Sequence, residues 1–501
     1  NWFALNASRY TPSSTLQRME LLKTGYMGTL SLGWDNYLFL ELTGRQERSS
    51  TLKDQSFFYP SANLSFLFTQ AFHMPSWWNY GKLRLSYGIV GNAPETYTAN
   101  IVYEQGSDNG FTWNTIPSSW GNADIHPEKK YEYEIGLESK FLNNRLGIDV
   151  SYYNNRVKDQ ILSTPQPSTS GVKNVLMNVG EVANHGWDIS ISATPILTRD
   201  FRWDLTANYG VYKNKVVKLA DGVPYLEILN SGGSGIKIQA VEGQPMGDIY
   251  AQVPQVNENG EYLVSDKGLY LNQTELQKVG NINPAGVGGL FNSFSYKNVF
   301  LDFSIDFRIG GDVINEMNQY ATAVGLTPES LKYRDTEHGG LSYYYPGNNN
   351  ASGVPVQVDP SLGAGPNGET VYHDGVILPG VVASTGEKNT RIIPAGYYYN
   401  QTYNWGTQPE QLTYRHSVFD NSYVKLRELT IGYQFPEKLI SKLGMTRLSV
   451  SVFGRNLFYF YKALKNYDAE SSVGTSWASQ AVVGGSTTAT RNFGVSLRAS
   501  F

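Results

Sequence analysis

The last eleven residues, 491–501, alternate between apolar and polar side chains and end on a phenylalanine. Successive side chains of a β-strand point to opposite faces, so this segment would have one apolar face and one polar face. The apolar face would carry Phe493, Val495, Leu497, Ala499 and Phe501. A strand of about ten residues with this pattern is typical of a β-barrel that faces hydrocarbon outside and water inside. A soluble sandwich can also contain one such strand, so the interpretation depends on whether the pattern recurs.

The alternation does recur, in segments 83–89, 146–152, 187–192, 203–209 and 299–308. Charged residues lie within these segments, for example Arg84, Asp149 and Asp302. The core of a two-sheet sandwich excludes unpaired charges, whereas the wet lumen of a wide barrel accepts them. The sequence therefore predicts an all-β fold, a transmembrane antiparallel β-barrel.

The composition agrees with this fold class. The chain contains 35 Tyr, 22 Phe and 10 Trp, and aromatic residues concentrate at both membrane interfaces of barrels. A mean hydropathy of -0.35 is compatible with a membrane location, because alternation hides the lipid-facing half of each strand. The lack of cysteine excludes disulfides and thiolate metal sites. A net charge of -4 argues against a basic surface for nucleic acid.

Short and long connections alternate between the predicted strands, of which about thirteen follow Tyr26, with Trp2–Ala7 as a candidate further strand. The short links are Asp35–Asn36, Ala71–Gly81, Leu142–Asn144, Leu197–Asp200, Lys297–Asn298 and Pro436–Thr446. The long links are Ser49–Phe58, Asn92–Lys129, Asp159–Gly180, Val216–Gly286, Gly310–Asn421 and Tyr461–Thr490. Short periplasmic turns and long extracellular loops are expected of bacterial barrels. We therefore expect residues 1–501 to form one barrel segment with long extracellular loops at 92–129, 216–286 and 310–421.

Several short motifs have local structural interpretations. Asp35-Asn36 and Asn143-Asn144 suit tight hairpins, because Asn and Asp tolerate left-handed backbone conformations. Arg427 and Arg455 lie within or near strands and are expected to pair with carboxylates inside the barrel. The segment Val313–Ala323 is expected to form a short helix.

No catalytic residues, metal ligands or cofactor are predicted. The six histidines lack helical ligand spacing. Asp302 and Asp306 share a strand face but are separated by roughly 13 Å, which exceeds the spacing of a glycosidase carboxylate pair. We therefore expect a protein that is not an enzyme.

Several segments together resemble the C-terminal half of a SusC/RagA-type TonB-dependent outer-membrane transporter. The segments that carry the resemblance are Leu42–Arg45, Ser49–Leu52, Phe58–Phe66, Lys82–Asn92, Glu134–Glu138, Phe141–Leu146, Tyr152–Asn155, Asn178–Gly186, Glu242–Tyr250, Asp306–Asp312, Tyr423–Tyr433 and Gly454–Phe458. They span nearly the whole chain in the order found in that family.

The resemblance implies a barrel of about 22 strands in the outer membrane of a Bacteroidetes-like bacterium. It also implies an N-terminal plug that contacts TonB, and a SusD-like surface lipoprotein that covers the extracellular mouth like a lid. The imported substrate would be an oligosaccharide or a peptide. No plug or TonB-contacting segment is recognisable here, so we expect the chain to be the C-terminal barrel portion. The alternative function is a passive outer-membrane channel or a surface-adhesion barrel.

Aromatic residues in the long connections are the candidates for binding substrate or lid. Flat aromatic rings beside amide groups match sugars and peptides, and protein interfaces also favour Tyr and Trp. The candidates are Trp113, Trp120, Tyr343, Tyr344, Tyr345, Tyr397, Tyr398, Tyr399 and Trp405. Packing between loops and membership of the interfacial girdle remain alternative roles for the tyrosines.

Overall fold

The computed structural model describes residues 18–53, 56–108, 111–231, 235–404, 413–472, 474–484 and 488–501. A sheet of thirteen strands forms the wall of the molecule. Its strands are β1 Lys23–Trp34, β2 Leu38–Ser49, β3 Ser56–Phe66, β4 Trp78–Asn92, β5 Glu128–Phe141, β6 Leu146–Lys158, β7 Glu181–Leu197, β8 Phe201–Lys218, β9 Pro284–Tyr296, β10 Val299–Gly310, β11 Tyr423–Gln434, β12 Arg447–Lys462 and β13 Asn492–Ser500. The candidate strand Trp2–Ala7 lies outside the described residues.

Each wall strand pairs antiparallel with its neighbours in chain order, from β1 to β13. The predicted strands and short links are therefore confirmed, except that β4 begins at Trp78, within the link predicted as Ala71–Gly81. Asp35 and Asn36 have φ of 46° and 58°, and Asn143 and Asn144 have φ of 57° and 62°. These left-handed values confirm the predicted hairpins and show why Asn and Asp occupy them.

The two faces of the wall differ in chemistry. On the outer face, Val495 pairs with Val452, which in turn pairs with Ile431. Their side chains are 71%, 59% and 53% exposed, respectively. On the inner face, Arg84, Asp149, Asp188 and Asp306 line a shared concavity. A continuous exposed apolar surface on one side of a charged one is the arrangement that a membrane barrel requires.

The connections between the wall strands contain short strands and helices of their own. The strands are Glu104–Asp108, Phe111–Thr115, Ser119–Trp120, Ile161–Pro165, Asn174–Asn178, Tyr225–Ser231, Ile236–Val241, Asp248–Ala251, Leu263–Val264, Gln277–Asn281, Asp312–Ile314, Leu341–Tyr344, Val356–Gln357, Val371–Val376, Val381–Val382, Ile393–Pro394 and Val418–Asp420. The α-helices are α1 Phe68–Ala71, α2 Glu316–Ala323, α3 Ala395–Tyr403 and α4 Glu437–Ile440. The 3-10 helices are Ser168–Ser170, Pro328–Leu331, Pro346–Asn348, Tyr414–Ser417, Ser441–Leu443 and Ser479–Ala481. No helix among the described residues has the length and apolar content needed to cross a membrane.

Three of the long connections fold together into one unit, here called the loop assembly: the described residues of 219–283, 311–422 and 463–491. Its main core joins residues from all three, including Ile238, Ile314 and Ala478. Ile314 also forms a parallel bridge with Val482, and the Val483 N–H donates to the Ile314 carbonyl over 2.7 Å. The loop assembly is therefore a folded structure with its own apolar core.

The predicted helix over Val313–Ala323 is shorter than expected. Val313 and Ile314 instead belong to the strand Asp312–Ile314, which pairs with Val418–Asp420. The helix begins after Asn315, whose side chain caps it by accepting a hydrogen bond from the Asn318 N–H. Tertiary pairing of two buried apolar residues therefore overrides the local helical pattern at this end.

Candidate functional site

Ion pairs line the inner face of the wall. The Arg84 guanidinium on β4 donates to both carboxylate oxygens of Asp149 on β6, over 2.6 and 3.2 Å. The same group lies 3.6 Å from Glu138 on β5. Asp302, in contrast, accepts a hydrogen bond from Ser293 over 2.6 Å. The charges predicted to face the lumen are therefore engaged with polar partners on neighbouring strands.

A second ion-pair network joins the outer end of the wall to the loop assembly. Arg427 Nε donates to Asp306 over 2.6 Å, and its Nη2 donates to Glu470 over 2.5 Å. Lys425, which is 2% exposed, pairs with Glu470 over 2.5 Å. Burial alone would raise the pKa of Glu470, but hydrogen bonds from Arg427 and Lys425 outweigh it and lower this pKa. Glu470 thus fixes the segment that carries it against the wall.

The pairing predicted for Arg427 and Arg455 with carboxylates inside the barrel is confirmed. Arg455 Nε donates to Glu428 over 3.0 Å. Arg427 itself lies at a β-bulge, because Ser304 pairs with Glu428 while Ile305 pairs with Leu426. Strict alternation would place Lys425 and Arg427 on one face and Glu428 on the other, but the extra residue at the bulge lets all three project to the inner face.

Sequence reasoning missed Lys425 and Glu470. Lys425 had a detectable signal, because it lies between Val424 and Leu426 on the same predicted strand face as Arg427. Glu470 had none, because it lies in a connection with no periodicity and meets its partners only through the tertiary fold.

The tyrosines 343–345 lie in and just after the strand Leu341–Tyr344 of the loop assembly. Tyr343 is 1% exposed, stacks on Tyr372 with ring centroids 5.5 Å apart, and donates a hydrogen bond to Asp374 over 3.1 Å. Burial raises the pKa of the Tyr343 hydroxyl above its ordinary value, so it remains a donor. Tyr344 and Tyr345 are half-buried. Of the three, Tyr343 is committed to packing within the loop assembly.

The tyrosines 397–399 lie on α3 and pack inward. Tyr399 is 7% exposed, and its hydroxyl donates to the carbonyls of Glu329 and Lys332 over 2.8 and 3.2 Å. Burial raises the pKa of Tyr399 to about 12. Tyr397 and Tyr398 pack against a small core that contains Leu269 and Ile393. This helix therefore holds the loop assembly together.

The three tryptophan candidates have different surroundings. Trp113 lies on the hairpin of strands Glu104–Asp108 and Phe111–Thr115 and is 46% exposed. Trp120 is half-buried and makes an edge contact with Tyr103 at 5.8 Å between ring centroids. Trp405 lies outside the described residues. Trp113 is therefore the most accessible of the described candidates, next to Phe111 at 78% exposure.

A polar cavity of about 530 Å³, here called the rim cavity, lies where the wall meets the loop assembly. The wall contributes Tyr212, Arg308 and Tyr423, and the loop assembly contributes Asn421, Trp477 and Gln480. Across the described part of the chain, no three acidic or histidine side chains are grouped closely enough to hold a metal ion. The site as a whole offers hydrogen bonds, charge and aromatic surface, which are the means of binding.

Comparisons with known proteins agree on one family. Residues 4–249 match the family model described as TonB dependent receptor-like, beta-barrel. TonB-dependent receptor P3 of Formosa agariphila is 24% identical over 495 residues, which covers 90% of this chain and 42% of that protein. TonB-dependent receptor SusC of Bacteroides thetaiotaomicron is 30% identical over 247 residues, covering 45% of this chain and 24% of SusC. The chain thus spans less than half the length of these relatives.

Solved structures show the same fold. The RagAB peptide transporter aligns with a TM-score of 0.68 at 19% identity, covering 98% of this chain and 49% of the solved one. The open-open state of the RagAB peptide importer aligns with a TM-score of 0.69 and covers 100% of this chain. Strand order, motifs and relatives therefore agree: residues 4–249 match the TonB dependent receptor-like β-barrel, and the chain as a whole is similar to SusC/RagA-type TonB-dependent receptors of the bacterial outer membrane.

Proposed function

We propose that this chain forms the barrel wall and extracellular loops of an importer that takes up oligosaccharides or peptides. A SusD-like lipoprotein would cover the loops, and TonB would act through a plug to release substrate inward. The observation that carries the proposal is the thirteen-strand wall with a charged inner face, which shares its fold with the RagAB peptide transporter over 98% of this chain. The known relatives favour this function over a passive channel or an adhesion barrel.

The loop at 92–129 supports a role for a partner protein. Its hairpin exposes Phe111 and Trp113, and the neighbouring Val102, Tyr103 and Ile116 are also exposed. Exposed apolar patches with aromatic residues are typical of protein-binding surfaces. We propose that the lid lipoprotein docks on this hairpin, while substrate passes along the inner face.

Ion pairs on the inner face support a wet passage. The pairs of Arg84 with Asp149 and of Arg427 with Asp306 are partly exposed on that face. Charged side chains of this kind suit a lumen that holds water and polar solutes. In this proposal the protein transports its substrate chemically unchanged and is not an enzyme.

Uptake measurements in the producing bacterium test the proposal. Cells that lack this gene are expected to lose uptake of a fluorescent oligosaccharide or peptide, and cells that lack TonB or the lid gene are expected to lose it equally. Uptake that needs this gene but continues without TonB would support a passive channel instead.

Epitope tags test the proposed orientation. A tag in the exposed segment Asn348–Ser352 is expected to be detectable on intact cells. A tag at Asn143-Asn144 is expected to become detectable only after the outer membrane is permeabilised. Detection of the second tag on intact cells would reverse the orientation.

A further inference from the structure

The rim cavity contains a cation, Arg308, that forms no direct ion pair among the described residues, although Asp312 and Asp420 act on it at longer range. Arg308 donates from Nε to the Gly310 carbonyl over 3.2 Å and from Nη2 to the Ile282 carbonyl over 3.1 Å. Among the described residues, no carboxylate oxygen lies within 4.0 Å of an Arg308 nitrogen, which is the limit for an ion pair. Two neutral carbonyls hold the guanidinium in place, so its charge and its remaining donors are available to the cavity.

The other charges near Arg308 are already engaged. Asp312 accepts a hydrogen bond from the Asn281 N–H over 2.9 Å, and Asp420 accepts one from the Ser422 hydroxyl over 2.7 Å. Glu470 is the acidic residue in the described lining of the cavity. It is occupied by Arg427 and Lys425, each at 2.5 Å. Asp312 and Asp420 lie outside the described lining of the cavity, and Arg308 is the basic residue within it, so Arg308 is the group there that can bind an anion.

The other residues that line the cavity can also contact uncharged parts of a ligand. Asn421 is 4% exposed, and its amide donates to the Ala469 carbonyl over 2.9 Å. Its Oδ1 is buried without a hydrogen-bond partner, and such a group gains free energy when a donor reaches it. Trp477 is 39% exposed and adds an aromatic surface. The cavity thus combines a cation, an unsatisfied acceptor and an aromatic ring.

We propose that the rim cavity is a subsite for a carboxylate group of the incoming ligand, with Arg308 as its anchor. The matching chemistry is a carboxylate with an N–H or O–H donor beside it, as in the C-terminal end of a peptide or in a uronic acid. This proposal rests on the proposed import function, and it predicts that the imported substrate has an acidic end group. The link from Glu470 to Lys425 and Arg427 holds the cavity in shape before the ligand arrives.

Binding to the purified, full-length transporter with its lid tests the proposal. The probes are a tripeptide with a free C-terminal carboxylate and its C-terminal amide, and a uronate-terminated trisaccharide and its methyl ester. In at least one pair, the acid is expected to bind about tenfold more tightly than its neutral partner, the usual value of a charge-assisted hydrogen bond. The pair that shows the difference identifies the source of the carboxylate.

Two variants and one control connect the preference to the cavity. Arg308→Gln is expected to abolish the preference for the acid. The affinity for the neutral probe should stay within about twofold of the wild-type value. Gln480→Glu adds a negative charge to the lining and leaves the contacts of Arg308 in place. It is expected to weaken binding of the acid probe and to leave binding of the neutral probe unchanged. Arg455→Gln removes an arginine that is paired with Glu428 outside the cavity, and it is expected to keep the preference.

Equal affinities for acid and neutral probes in both pairs would overturn the subsite, and so would a preference that survives Arg308→Gln. If TonB-dependent uptake of the neutral probes continues in that case, the import function stands and the subsite alone fails. If the wild-type protein supports no TonB-dependent uptake of any probe, both proposals fail.

Discussion

The wall and the loop assembly place the same kinds of apolar residue in opposite positions. On the wall, Val495 and Leu497 are 71% and 69% exposed. In the loop assembly, Ile238 and Ile249 are completely buried. Apolar side chains leave water in both regions, but the wall transfers them to hydrocarbon and the loop assembly transfers them to a protein core. The difference in exposure therefore shows that the apolar side chains of the wall face hydrocarbon, whereas those of the loop assembly pack against other parts of the protein.

The largest expected effect is on the core of the loop assembly. Ile238→Ala should destabilise it by about 2–5 kcal/mol, because a buried side chain is lost and a cavity remains. Hydrogen exchange should then increase in strands Ile236–Val241 and Asp248–Ala251 and remain unchanged in the wall. Val495→Ala is the matched change on the exposed face, and it should alter exchange little in either region. An equal increase in the wall would show that the two regions do not unfold separately.

A charge on the outer face of the wall should have an effect of similar size. Val452→Arg is expected to cost about 2–4 kcal/mol if the residue lies near the middle of the bilayer. The neighbouring change Ser451→Arg places the same charge on the inner face and should be tolerated. Urea unfolding in lipid vesicles measures both variants, and equal losses would contradict the assignment of the two faces.

Acid is expected to loosen the loop assembly before the wall. His416 is stacked on Tyr403 with ring centroids 4.5 Å apart, and burial lowers its pKa from 6.5 to about 4. The unfolded state therefore binds the proton more readily, so this stability is complete above pH 6.5 and decreases as the pH falls toward 4. Glu470, whose pKa is also lowered, acts in the same direction at lower pH.

Hydrogen exchange as a function of pH measures this effect. His416→Phe keeps an aromatic ring and removes the titration, so it should flatten the dependence between pH 6.5 and 4. A variant with the same pH dependence as the wild type would show that His416 does not cause it.

The smallest expected effect on stability is at Trp113. Because this side chain is 46% exposed on the hairpin, Trp113→Ala should change the free energy of unfolding by about 0.5 kcal/mol or less. Lid association should weaken by about 2 kcal/mol if the residue is a hot spot. Co-purification of the lid measures the second effect, and unchanged recovery would remove Trp113 from the proposed interface.

The wall could be predicted from the sequence because its strands and hairpins depend on patterns of neighbouring residues. Alternation along β10 and β13 assigns the faces, and Asn143-Asn144 marks a hairpin without reference to the rest of the chain. The loop assembly depends on contacts between distant segments, such as Ile314 with Val418 and Val482. No periodicity encodes those contacts, so the shortened helix at Val313 and the burial of Tyr343 and Tyr399 emerged only from the fold. Arg427 was placed correctly, but the bulge that orients it has no signal in the alternation.

The most direct test of the two-faced wall uses spin labels at neighbouring positions of β13 in lipid vesicles. A label at Val495 is expected to be relaxed by oxygen, which dissolves in the bilayer, and a label at Ser496 by a water-soluble nickel chelate. The pattern should repeat at Val452 and Ser451, which pair with these residues on β12. Preferential relaxation by the nickel chelate at both valines would contradict a wall that faces lipid with its apolar side.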